Sequence, residues 1–159
     1  LWADIAHPIN IGTHGNTQTE GEIIENILFR NIDVLEHDED DRDYQGVMTV
    51  NAGDRNLIRH VTFDSIRVER IQEGQLFHLR VMDLPRYCTA PGRHVEHITF
   101  RNITYTGHHA HPSVIKGYSS EGMVRDVLFE NIVINGKRVK RLEDLELSIG
   151  DFVDGIRLK

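Results

Sequence analysis

One eleven-residue phrase occurs four times in this chain, and it constrains the fold more than any other feature. Ile24-Glu25-Asn26-Ile27-Leu28-Phe29-Arg30-Asn31-Ile32-Asp33-Val34 is the first copy. The others start at Ile58, Val95 and Val124, so the copies begin 34, 37 and 29 residues apart. Such a period is typical of repeat architectures. Within the phrase, Ile27, Phe29 and Asn31 share one parity and Ile32 and Val34 the other. Alternation places side chains on opposite faces of a strand, and the parity switch after Asn31 predicts a bend. The phrases are rich in β-branched residues and phenylalanine and contain neither Gly nor Pro, which suits strands.

Two short strands joined by a bend and repeated at this spacing predict an all-β chain, a right-handed parallel β-helix of about four to five coils. The whole of 1–159 then forms one domain, with 136–159 as a less regular end-cap. Equivalent residues stack about 4.8 Å apart from coil to coil. Phe29, Phe63, Phe100 and Phe129 become an internal aromatic stack, and Asn31, Ser65, Asn102 and Asn131 a polar ladder at the bend. A second apolar stretch precedes each phrase, at 8–12, 46–51, 76–81 and 113–118. By parity, Phe77, Leu79 and Val81 turn inward and His78 and Arg80 outward. The same parity sends Asn10, Lys116 and Tyr118 outward.

Composition narrows the partners. A net charge of −7 argues against nucleic acid or an anionic membrane as the partner. No apolar run approaches the roughly 18 residues of a membrane span. The single cysteine, Cys88, excludes an internal disulfide. The chain begins without an initiator methionine, and a β-helix starting in mid-strand leaves an edge that missing N-terminal coils or a partner subunit must cover.

Three groups of residues are candidates for chemistry. The acidic stretch 37–44 offers Asp38, Glu39, Asp40, Asp41 and Asp43, without the glycine-punctuated order of a calcium loop, and reads as a solvated loop. His108, His109 and His111 lack a spaced Cys or carboxylate partner, so no metal and no cofactor are expected. The outward row of Asn10, His78, Arg80, Lys116 and Tyr118 combines polar, cationic and aromatic side chains on a flat sheet, as an extended oligosaccharide or polysaccharide requires.

Ala6-His7-Pro8-Ile9-Asn10-Ile11-Gly12-Thr13-His14-Gly15, followed by the first phrase, resembles the Gly-His-Gly-Ile-Ser-Ile-Gly-Ser-x-Gly segment of glycoside hydrolase family 28. That family holds the polygalacturonases, enzymes of the pectin-lyase-like β-helix fold. The resemblance implies that His7 is the family's active-site histidine and that Gly12 and Gly15 are its glycines; His14, at the segment's variable position, is a further substrate-binding candidate. It also implies a secreted or periplasmic protein and an inverting acid/base mechanism on glycosidic bonds. Two departures stand against it. Val47-Met48-Thr49-Val50-Asn51 lies where the family's substrate-binding Arg-Ile-Lys falls, and the family's paired aspartates would precede Leu1. The chain is therefore expected to be the C-terminal part of a hydrolase, inactive alone. A non-catalytic carbohydrate-binding module, or a polysaccharide lyase or dextranase-like enzyme, is the alternative.

Overall fold

The structure is a computed structural model that describes residues 1–4, 7–41, 46–107 and 111–159. Its strands are β1 (Trp2–Asp4), β2 (Ile9–Gly12), β3 (Ile23–Val34), β4 (Glu36–Asp38), β5 (Gly46–Ala52), β6 (Leu57–Val68) and β7 (Ile71–Glu73). They continue as β8 (Gln75–Val81), β9 (Val95–Tyr105), β10 (Ser113–Lys116), β11 (Val124–Ile134), β12 (Lys137–Arg138), β13 (Leu147–Ile149) and β14 (Val153–Leu158). A single 3-10 turn, Leu142–Leu145, is the helical element among the described residues.

The four phrases build one sheet. β3, β6, β9 and β11 lie side by side in parallel, with Phe29, Phe63, Phe100 and Phe129 in register. Their rings stack at centroid distances of 5.2, 4.9 and 5.2 Å. Phe63, Phe100 and Phe129 are fully buried, while Phe29 on the edge strand is half-buried. The predicted bend is present as a column of left-handed residues, with φ of 58° at Asn31, 58° at Ser65, 55° at Asn102 and 53° at Asn131. A second left-handed column five residues earlier, at Asn26, His60, His97 and Asp126, was not legible from parity.

The polar ladder runs differently from the simple column expected. Asn131 donates to Asn102 at 2.8 Å, and Asn102 donates to Asp64 at 3.0 Å. Ser65 is too short to span the gap and donates sideways to Asp64 at 3.0 Å instead. Asp64, buried and ringed by Arg30 at 3.3 Å and Arg101 at 3.1 Å, takes over as the hub. Its hydrogen bond from Asn102, helped by Arg101 and Ser65, holds its carboxyl below the usual range against the opposing effect of burial.

The architecture as a whole differs from the expected right-handed parallel β-helix. The strands form three separate open sheets of three, five and six strands, not a uniform solenoid of four to five coils. Among the described residues the three-stranded sheet, β1-β4-β7, has no strand beyond β7. The largest sheet is mixed, because β12 runs antiparallel to β11. The physical reason is that the phrase specifies only the longest strand of each repeat. The connections differ in length and composition, and Asn135-Gly136, with φ of 51° and 74°, reverses the chain into a hairpin. The five-stranded sheet, β13-β10-β8-β5-β2, packs its inward residues Ile9, Val50, Leu79 and Ile115 into the same core as the phenylalanines.

A candidate binding site on the five-stranded sheet

The outward residues of β2, β5, β8 and β10 fall into two rows. Asn10 pairs in register with Thr49, Thr49 with His78, and His78 with Val114. Gly12 pairs with Asn51, Asn51 with Arg80, and Arg80 with Lys116. Thus Arg80 and Lys116 are neighbours, while Asn10 is separated from His78 by an intervening strand. Gly12 holds its place because its φ is +89° and a Cβ there would lie 2.2 Å from the Asn51 carbonyl oxygen.

This face is not the solvated surface that parity suggests. Thr49, Asn51 and His78 are all 0% exposed, whereas Asn10 and Lys116 remain exposed. Parity reports which way a side chain points, not whether another segment covers it. Beside this face lie His7 and the segment that follows β4, since both His7 and Asp41 act on the His78 ring. His7 Nε2 lies 3.6 Å from Glu39 Oε2, and Glu39 Oε1 accepts a 2.9 Å bond from the Asp41 N–H. The Tyr87 hydroxyl donates to the Asp41 carboxylate, and Arg86 Nη1 is 3.8 Å from it. The loop after β8 is thereby tied to the acidic segment. The solvated-loop reading of 37–44 is corrected for Glu39, which is buried; residues 42–44 lie outside the described residues.

Electrostatics follow from this burial. Burial pushes the His7 pKa down, opposed by Glu39 and Asp41 and reinforced by His37. His78 is driven down to about 3, first by burial and then by Arg80 and His7, with Asp41 opposing. It is neutral at any ordinary pH. Gln75 Nε2 stands 3.2 Å from His78 Nδ1. An amide N–H can only donate, so Nδ1 accepts and the ring proton sits on Nε2. Among the described residues neither His78 Nε2 nor either amide atom of Asn51 has a hydrogen-bond partner.

The remaining predicted residues stand apart from this cluster. His14 is largely exposed, with Nδ1 3.9 Å from Asp54 Oδ2. Asp54 is the anchor of a separate turn, accepting from Gly15, Thr89 and Ala90 backbone N–H groups. Tyr118 is exposed beyond the end of β10, and its hydrogen bond with Asp83 raises its pKa. Its place is at the rim. The structure therefore brings together His7, His78, Arg80 and Lys116, with Asn10 two strands away, and leaves His14 and Tyr118 outside. Sequence reasoning named Glu39 and Asp41 only as members of a solvated acidic loop and missed their place beside His7. The signal was the alternation of His37, Glu39 and Asp41, three residues of one parity on a short strand and its continuation.

Among the described residues no group of three or more His, Cys, Asp and Glu side chains is placed to hold a metal. His108 and His109 lie outside the described residues. A cleft of about 730 Å³ lies beside β12 and the 3-10 turn, and its Glu146 carbonyl accepts from the Ser113 N–H at the start of β10. Its charged lining of Lys137, Arg138, Glu143, Asp144 and Glu146 contains none of the residues singled out from the sequence. Comparison with family models, curated proteins and solved structures found no match for this chain.

Proposed function

We propose that this chain carries the saccharide-binding surface of a polysaccharide-degrading protein whose chemistry resembles that of glycoside hydrolase family 28. The observation that carries the reading is the pairing of His7 with Glu39 beside a face on which Arg80 and Lys116 are register neighbours. Two adjacent cations supply charge-assisted donors for the hydroxyl or carboxylate oxygens of an acidic sugar. A neutral His78 in the neighbouring row adds no charge of its own.

Cleavage is a different matter. Inverting hydrolysis needs one carboxylic acid at the leaving oxygen and a second carboxylate activating water on the opposite face. Glu39 and Asp41 are two residues apart on one segment, and Asp41 is engaged by Tyr87 and Arg86. On this reading the chain binds saccharide without hydrolysing it.

The test is a chemical-shift titration with oligogalacturonates and with neutral glucans. Resonances of Arg80, Lys116 and His7 should shift with the acidic sugar, with affinity on the order of millimolar, about 4 kcal/mol. Added salt should weaken the binding, because exposed cations are screened. Shifts confined to the cleft beside β12 would remove the site from this face. Release of reducing ends from polygalacturonate, abolished by Glu39→Gln, would show a complete catalytic site instead.

A further inference from the structure

Two histidines meet on the outer surface of the six-stranded sheet. His60 of β6 and His97 of β9 hold equivalent left-handed positions, with φ of 53° and 55°. The flanking pairs Arg59–Glu96 and Val61–Ile98 are in register, so the two residues stand directly opposite each other. Both are exposed, and their rings are stacked, with centroids 4.7 Å apart and planes 4° from parallel. Left-handed backbone favours Asn, Asp and His, and the same column holds Asn26 before His60 and Asp126 after His97. Spacing along the chain does not reveal the pair, since 37 residues separate the two and only the sheet brings them together.

Asp126 decides which nitrogen of His97 is available. His97 Nδ1 is hydrogen-bonded to Asp126 Oδ2, and Arg157 donates to the other carboxylate oxygen. An ionised carboxylate only accepts, so Nδ1 carries the proton and Nε2 is left with a lone pair. A carboxylate behind one imidazole nitrogen is the usual support of a histidine that binds a metal through the other. His60 stacks on His97 and makes no hydrogen bond or ion pair among the described residues, so either of its nitrogens can present a lone pair, according to tautomer. Neighbouring charges do not oppose a cation. Arg59 is paired with Glu25, Arg125 with Glu96 and Arg157 with Asp126, so each guanidinium beside the pair has its own carboxylate.

We propose that His60 and His97 form a binding site for a divalent transition-metal ion, held by one nitrogen of each imidazole, with water in the remaining positions and Asp126 as the positioning residue behind His97. Imidazole nitrogen suits copper(II), nickel(II) and zinc(II), whereas calcium and magnesium take oxygen ligands. Bonds of about 2.0–2.1 Å at a tetrahedral or square-planar angle bring the two nitrogens to about 3 Å from each other. At a centroid separation of 4.7 Å the rings stand farther apart than this, so their tips tilt together by rotation of the exposed side chains. Asp126 stays outside the coordination shell, because His97 and Arg157 occupy its two oxygens. Binding staples β6 to β9. The site is independent of the saccharide face, which lies on another sheet.

The test is a titration of the intact chain with copper(II) chloride, followed by calorimetry and by NMR of the histidine side chains. The imidazole resonances of His60 and His97 should broaden together, at the same copper concentration, through the paramagnetism of the bound ion. The column already accepts Asn at Asn26, so His60→Asn and His97→Asn should keep the fold, which circular dichroism checks. Each should weaken binding at this site at least about tenfold, since one of two protein ligands is lost. The chain has ten histidines, so the difference between these variants and the unaltered chain is what assigns the site. Asp126→Asn should weaken binding about tenfold and let the His97 ring populate its other tautomer, read from the ring-nitrogen chemical shifts before copper is added. Unchanged stoichiometry and affinity in His60→Asn, or broadening of one of the two resonances without the other, would overturn the proposal. An unchanged affinity and tautomer in Asp126→Asn would overturn the role given to Asp126.

Discussion

Replacing Phe100 with alanine removes the centre of the aromatic column, and its cost can be set against the same change at the column's end. Phe100 is 0% exposed and touches three rings: Phe63 at 4.9 Å, Phe129 at 5.2 Å and Phe77 at 4.6 Å. Strands on both sides hold the neighbouring rings, so the cavity cannot collapse. Truncation at such a site costs about 3–5 kcal/mol, and the lost ring pairs place Phe100 at the upper end. Phe29 has a single stacked neighbour, Phe63 at 5.2 Å, and an open side. Phe29→Ala should cost less than half as much, about 1–2 kcal/mol, since a half-buried ring loses only part of its transfer term. Urea unfolding of both variants gives the comparison through the midpoint, provided the slope is unchanged. Equal losses at the two positions would refute the reasoning, because they would mean that the β3 edge is as enclosed as the centre of the sheet.

Other outcomes follow from the buried polar groups. His78, with a folded pKa of about 3 against 6.5 in the unfolded chain, binds its proton later than the unfolded state does. Stability should thus be insensitive to this group above about pH 6.5 and fall as pH drops toward 3, by up to about 1.4 kcal/mol per unit. His78→Gln should flatten that slope, and an imidazole resonance titrating between pH 6 and 7 would contradict the assignment. Asp64→Ala leaves Asn102, Arg101 and Ser65 without their shared acceptor. It should lower stability by about 1–3 kcal/mol in thermal unfolding. The Asp64 pKa is depressed, so its contribution is present above the ordinary carboxylate range and is lost as pH falls through the lower folded value.

The repeat made the phenylalanine column and the bend at Asn31 legible, because both depend on spacing and parity within one strand. It did not make the architecture legible. Which strands share a sheet and where the chain reverses are decided by the connections, whose sequences do not repeat. The same division runs through the candidate site. The outward direction assigned to His78 and Arg80 follows from the parity of β8 alone, and the register aligns them with Thr49 and Asn51. His7 and Asp41, which act on the His78 ring, lie 71 and 37 residues away along the chain and share no pattern with β8. Parity contains no information about burial by such distant segments.

Charges alternate across the largest sheet, as Glu25, Arg59, Glu96, Arg125 in one column and Arg30, Asp64, Arg101, Glu130 in another, and this answers a problem that the repeat itself creates. Four nearly identical strands can pair in several orders, since each presents the same inward Ile and Phe positions to any other. Apolar packing alone does not choose among them. Pairing β3 with β9 in place of β6 would set Glu25 against Glu96 and Arg30 against Arg101. Pairing β6 with β11 would set Arg59 against Arg125 and Asp64 against Glu130. Every arrangement that skips one strand thus meets like charges in both columns, and like charges directly opposite are destabilising. Exposed ion pairs add little net stability. Their role here is to penalise the wrong neighbour, which is specificity by repulsion. An arrangement that skips two strands, β3 against β11, escapes the penalty, and there chain length decides, with 22 residues between β3 and β6 against 89 between β3 and β11. Arg59 and Asp64 therefore matter more for which strand β6 joins than for how tightly it is held.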